Sequence, residues 1–279
     1  MIRLNLTLNP LVSIFTDMSD KLTELLEDLR EAYLKEMEAN GHSYPFKTAH
    51  QLAHRRLALP ADELVELILS APRLLASRAG DLIESEEEGA NPTIGAIISA
   101  NLVAAGMDGL MMVATKRDWL ERDEHGDLLV DAHELDLCKP VLGVDYTKTP
   151  KEFVPQSGRS QLSDLFSAAE AAFETALSCE TMDAYQLSLK IASDYAVFAP
   201  DDLAPLLAEN PLMLGLRNDG LVDPEMFNQD PPAGMILSAH LTEMMVAQMV
   251  DHAIEKGAIG MDSEGQPLFV DDEEPPTLH

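Results

Sequence analysis

The chain has 279 residues, 46% of them hydrophobic, with 49 acidic against 19 basic side chains and a net charge of −30. That length and apolar content suit one large domain or two ordinary ones and exclude general disorder. The charge repels phosphate backbones and anionic membrane surfaces, so neither direct nucleic-acid binding nor a membrane partner is expected.

The N-terminus, "MIRLNLTLNPLVSIF", lacks the apolar run and small-residue cleavage site of a signal peptide. Cys138 and Cys179 are the only cysteines and form no CxxC pair, which fits a reducing compartment without a disulfide framework. A cytoplasmic protein is expected.

In chain order, "SDKLTELLEDLREAYLKEMEANG" places Leu22, Leu25, Leu26, Leu29, Tyr33 and Met37 on one helical face, with Ser19 as N-cap and Gly41 as stop. A second helix is expected from about Thr48 to Ala58. Pro60 and the acids after it start a third, and Pro72 a fourth that runs to about Glu84. The acidic loop "ESEEEGANP" follows. A long helix then spans about Thr93 to Thr115. It is apolar nearly all round, and Ser99, Asn101 and Asp108 within it favour a buried helix over a membrane span. "WLERDEHGDLLV" reads as a hairpin, because Asp-x-x-Gly between apolar runs suits a four-residue turn.

After the Pro-, Gly- and Lys-rich stretch 138–160, the pattern returns. "GAIISANL" at 95–102 becomes "GMILSAHL" at 234–241, 139 positions on. At the same offset Asp62 meets Asp201, Leu64 meets Leu203, Pro72 meets Pro211, Arg78 meets Arg217, Pro92 meets Pro231, Asp123 meets Asp262 and Gly126 meets Gly265. Ordered matches at one offset point to a tandem duplication. The expected second long helix, about Ala233 to Lys256, is more amphipathic, so the first copy should lie deeper. "AIGMDSEGQPLFV" supplies a second hairpin, and the acidic tail "VDDEEPPTLH" closes the chain. A helix followed by a hairpin is the element order of a winged helix, a likeness of order alone.

Several residues invite a chemical reading. His50 and His54 in "HQLAH" stand one helical turn apart, and two imidazoles so placed can share a metal. Gln51 occupies the place where a zincin carries its general base, and no third ligand lies nearby in sequence. Both hairpins can be laid on a calcium loop, but Ala132 and Asp271 replace its closing Glu and the ligand count is too low. His240 and His252 align with Asn101 and Val113, so neither belongs to a shared constellation. Fourteen methionines, several in "MDGLMMV" and "MMVAQMV", suit core packing first and an adaptable groove second. Lys47, Arg55, Arg56, Arg73 and Arg78 form a modest basic group in a first half with 13 basic and 25 acidic residues.

The expected fold is mainly α: two tandem repeats of a helical module, each ending in a small β-hairpin, packed about a pseudo-two-fold. Residues 1–139 form the first repeat, 140–160 the linker and 161–279 the second repeat with its tail. Gly95, Ser99, Ala100, Gly234, Ser238 and Ala239 are small enough to let the two long helices meet closely. No catalytic residue and no cofactor is assigned. The expected function is a non-enzymatic adaptor or regulator that binds another protein, for which the charge favours a basic one. Two alternatives stand beside it. One is an acidic nucleic-acid mimic that blocks a DNA- or RNA-binding protein. The other is a metal-dependent enzyme using His50 and His54.

Overall fold

The computed structural model describes residues 2–4, 20–80, 82–83, 91–125, 127–136, 144–147, 160–179, 182–196, 198–223, 230–264 and 266–268. The described residues are mainly helical, with nine α-helices and a few short strands. The chain divides into two compact units, each assembled from two stretches: Met1–Pro155 with Pro200–Ile236, and Gln156–Ala199 with Leu237–His279.

In the first unit, β1 (Ile2–Leu4) precedes α1 (Asp20–Ala39), α2 (Pro45–Leu57) and α3 (Ala61–Ser70). Leu22, Leu29, Tyr33 and Met37 are the buried stripe of α1, at the spacing the sequence predicts. The Tyr33 hydroxyl donates to the Pro45 carbonyl at 3.1 Å, so a large buried ring satisfies its polar end. Gly41 follows with φ +69°, and His42 and Tyr44 also take left-handed backbone, which turns the chain sharply into α2. Helix α2 has Pro45 in its first turn, no acid there and no side-chain cap of its own. Helix α3 starts after Pro60, and Asp62 and Glu63 oppose the positive end of its dipole.

The helix expected from Pro72 to about Glu84 is instead a five-residue 3-10 turn, Pro72–Ala76. Ser77 leaves it in extended backbone (φ −60°, ψ 143°), and Gly80 takes φ +50°. The carbonyl of Ser77 is thereby turned to a distant partner, the amide of Ala233, at 2.9 Å.

Helix α4 (Ile94–Lys116) is capped by the Thr93 side chain, which accepts from the Ala96 amide at 3.2 Å. From Ile94 to Val103 every residue but Ala100 is buried, as its all-round apolar sequence requires. Asn101 is the polar exception. Its amide donates to the carbonyls of Arg78 and Ile97, at 2.7 Å each, which removes the cost of burying it. Further along, Leu57 and Leu29 pack over Gly106.

β2 (Glu121–Arg122) and β3 (Leu128–Val130) form the first hairpin, with Glu121 opposite Leu129. β1 adds to the other edge of β3, giving an antiparallel order β1-β3-β2. That third strand was not anticipated. Trp119, just before the hairpin, stacks on His42 with centroids 4.7 Å apart, and the Arg117 guanidinium lies 5.5 Å from its ring centre. The short α5 (Ala132–Asp136) follows β3. α8 (Pro200–Glu209) and a second 3-10 turn (Pro211–Gly215) pack on α3 and the first 3-10 turn.

The second unit contains α6 (Gln161–Leu177), α7 (Ala184–Tyr195), most of α9 (Ala233–Glu255) and the hairpin β4 (Gly260–Met261) and β5 (Pro267–Leu268). The first turn of α9 belongs to the first unit. Ser160 caps α6, and Asp183 caps α7 through the amides of Tyr185 and Gln186. The core holds Ala169, Phe173, Leu187, Ile191, Met245, Met249, Ala253 and Ile259. Phe173 is fully buried, worth roughly 1.5–3 kcal/mol relative to an exposed ring.

Candidate functional site

The two histidines of "HQLAH" lie on α2 with ring centroids 4.4 Å apart. Burial, and then the neighbouring His54 ring, pushes His50 down to about 4, so it is neutral at physiological pH. A neutral imidazole is the form that binds metal. Among the described residues, however, no group of three or more His, Cys, Asp or Glu side chains is placed to hold a metal ion.

The calcium-like hairpin loops use their carboxylates differently. Asp123 Oδ1 accepts from the amides of His125 (2.8 Å) and Asp127 (3.0 Å). Asp262 Oδ1 accepts from Glu264 and Gln266, at 2.8 Å each. Each aspartate thus closes its own turn. Gly126 and Gly265 lie outside the described residues, as do the acidic run 84–90 and Cys138.

Helix α2 receives its missing cap from elsewhere. Glu134 of α5, only 3% exposed, accepts from the Lys47 amide at 2.8 Å. Burial raises the Glu134 carboxyl above the ordinary value, and the amides of Lys47 and Phe46 pull it partly back. The basic group is dispersed: Arg55, Arg56 and Arg73 are exposed, and the Lys47 ammonium lies 5.6 Å from the centre of the Tyr44 ring.

The octamer residues meet different neighbours. A Cβ on Gly95 would strike the ring of Tyr146, whose hydroxyl donates to the Leu59 carbonyl at 2.7 Å. That hydroxyl has one proton, so the Ser99 hydroxyl is the donor in its short bond to Tyr146. The backbone of Tyr146 and Thr147 lies against Gly215. Gly234 faces Leu75 and Leu203 instead. Ala100, Ser238 and Ala239 are half-buried, and the Ser238 carbonyl accepts from the Thr242 hydroxyl at 2.9 Å. Tyr146 sits in the stretch that reads as a linker, where nothing in the local pattern marked it as an anchor.

The first unit also contains a set of bonds between residues 77–94 and 216–233. The Ile94 amide donates to the Leu216 carbonyl and the Ala233 amide to the Ser77 carbonyl, both at 2.9 Å. Arg78 donates to the Asp230 carbonyl, and Arg217 donates to the Asn91 carbonyl. The Asp230 carboxylate accepts from the Ala79 amide at 2.8 Å, and the Asn91 side-chain oxygen from the Asn218 amide at 3.0 Å. Sequence matching brought Arg78 and Arg217 forward. Asn91 and Asp230 escaped it because the two residue types differ.

In the second unit His252 lies between two carboxylates of α6, Nδ1 3.2 Å from Glu170 and Nε2 3.0 Å from Glu174. Lys256 reaches Glu174 at 3.2 Å, and Gln248 donates to Glu170. Lys256 and His252 hold the Glu174 carboxyl below the ordinary carboxylate value. His240 Nδ1 stands 3.8 Å from Glu243, four-fifths of a turn away on α9. The methionines divide: Met37, Met111, Met213, Met245 and Met249 are buried, while Met112, Met182, Met235, Met244 and Met261 are exposed.

No family model, curated protein or solved structure matches the chain.

Proposed function

We propose that the chain is an acidic protein-interaction module, an adaptor or regulator, built from two copies of one helical unit related by a local two-fold. The duplication is supported by element bounds. Shifted by 139 positions, α3 falls on α8, the first 3-10 turn on the second, α4 on α9 and β2 on β4, end for end. The two-fold is supported by the bonds between 77–94 and 216–233. The Ile94–Leu216 and Ala233–Ser77 bonds, the Arg78–Asp230 and Arg217–Asn91 bonds, and the Ala79–Asp230 and Asn218–Asn91 bonds form three pairs at the same offset, with donor and acceptor exchanged between the copies, as in an isologous contact.

The interaction role is carried by α1. Glu24, Glu27, Asp28 and Glu31 are all exposed on it, at three- and four-residue spacing. Such like-charged neighbours cost an isolated helix about 0.2–0.5 kcal/mol per pair. A basic partner surface would relieve that repulsion and be steered toward it. The test is a pull-down from the native host at low and high salt, with the chain and with a variant carrying Glu24→Gln, Glu27→Gln, Asp28→Asn and Glu31→Gln. A partner lost both at high salt and with the variant supports the acidic-face reading. A partner retained in both overturns it. If the salt-sensitive partner binds nucleic acid, and nucleic acid competes it away, the mimic is the form of the function.

A further inference from the structure

Eight asparagines occur in the chain, and only Asn40 is followed by glycine. Asn9, Asn91 and Asn210 precede proline, which has no amide proton. Asn101 and Asn218 are held by their side chains: Asn101 donates to the Arg78 and Ile97 carbonyls, and Asn218 both donates to and accepts from Val222. Asn40 stands just past the last residue of α1, and Asn40, Gly41 and His42 are all exposed. The amides of Asn40 and His42 bond back to the Glu36 and Met37 carbonyls, at 3.0 and 2.8 Å. The Gly41 amide between them makes no hydrogen bond among the described residues. A Cβ at Gly41 would have nothing within 4 Å, so that side of the turn is open.

We propose that Asn40 is a site of spontaneous deamidation, through attack of the Gly41 amide nitrogen on its side-chain carbonyl carbon. The new bond closes a five-membered succinimide, and the side-chain nitrogen leaves as ammonia with the proton that the Gly41 amide gives up. Water then adds to one of the two ring carbonyls and breaks its bond to nitrogen, which leaves aspartate or isoaspartate at position 40. Glycine suits the step because no Cβ crowds the attacking nitrogen. The turn must open for the two atoms to meet, and a helix end opens at little cost. Either product puts a negative charge at the negative end of the α1 dipole, one turn from Glu36. It also removes the donor that Asn40 offers to the Thr48 hydroxyl, at 3.4 Å. Isoaspartate further lengthens the main chain just before Gly41, His42 and Tyr44, whose left-handed backbone turns the chain into α2. Conversion thus loosens this turn and the stack of His42 on Trp119. The age of a chain is thereby recorded in its first unit, whatever partner α1 binds.

The experiment holds the full chain, folded and in urea, at neutral and mildly alkaline pH for several weeks, and maps proteolytic digests by mass. In the folded chain Asn40 should convert at least about tenfold faster than Asn101 or Asn218, which local opening does not free. The rate should rise with pH, and isoaspartate should appear beside aspartate. Gly41→Ala should slow the conversion. Asn40→Gln, which keeps a side-chain amide but would need a six-membered ring, should nearly abolish it. Conversion in urea but not in the folded chain overturns the site, because the turn then shields it. Aspartate without isoaspartate overturns the route through the Gly41 amide. Nitrogen-15 spectra of fresh and aged chains follow the consequence. The His42 and Trp119 signals should shift as Asn40 converts, and their constancy in a converted chain overturns the loosening.

Discussion

A Cβ added at Gly95 would fall 2.5 Å from Cγ of Tyr146, closer than any real side chain could sit. The ring cannot retreat easily, because its hydroxyl is bonded to the Leu59 carbonyl and to Ser99. Gly95→Ala should therefore destabilise the protein by about 1–3 kcal/mol, the usual cost of overpacking. Gly109, on the same helix, has nothing within 4 Å of its Cβ position. Gly109→Ala should stabilise by about 0.5–1 kcal/mol, because alanine is the better helix former. Urea midpoints of the two variants that move the same way would refute the account.

His50 makes stability depend on acid. Its pKa falls from 6.5 to about 4 on folding, so between those values the unfolded chain binds more protons. The stability is present above pH 6.5 and is lost as the pH falls toward 4. After discounting for partial exposure the loss is roughly 1–3 kcal/mol. His50→Asn should flatten this slope in a series of melts across that range.

Glu134 has the opposite sign. Its folded pKa is raised above 4.5, so its contribution is present in full below that value and is lost as the pH rises through the folded pKa. Glu134→Gln should remove the slope while keeping an acceptor for the Lys47 amide. Glu134→Ala should cost about 0.5–2 kcal/mol, the price of an N-cap. Equal costs for Gln and Ala at neutral pH would argue against capping.

Asp230 holds the amides of Ala79 and Gly80, while its counterpart Asn91 holds that of Asn218. Asp230→Ala leaves two amides without their acceptor and should cost about 2–3 kcal/mol. Asp230→Asn should cost less than half as much. Chemical denaturation orders the two variants, and Asn costing as much as Ala would show that the carboxylate's charge matters more than its geometry.

In the second unit, Lys256→Met should let the Glu174 carboxyl rise toward its ordinary value, since Lys256 is the largest cause of its depression. The carboxyl carbon shift of Glu174 followed through an acid titration reads this directly. An unchanged titration would assign the effect to His252 alone.

The helices were legible because apolar spacing and caps are local. Leu22 to Met37, Pro60 with its acids, and Thr93 before a long apolar run each state a helix within one or two turns. The hairpins were legible from Asp123 and Asp262, which close their turns over four residues. The 3-10 turn after Pro72 was not, because what ends it is a carbonyl turned toward Ala233 in the other half. β1 went unread for a similar reason: a three-residue strand exists only through its pairing with β3. Glu134 and Tyr146 were missed because each acts on a backbone group 87 positions away. Tyr44-Pro45 without a polar cap was the available clue that α2 needed help from outside itself.

The stack of His42 on Trp119 has an optical consequence. Trp119 is the chain's one tryptophan and lies in the first unit, wedged among His42, Tyr33 and Arg117. Its emission reports loosening of that unit, while the chromophores of the second are phenylalanine and tyrosine. Fluorescence and backbone dichroism followed on one sample therefore reveal whether the two units melt together or in turn.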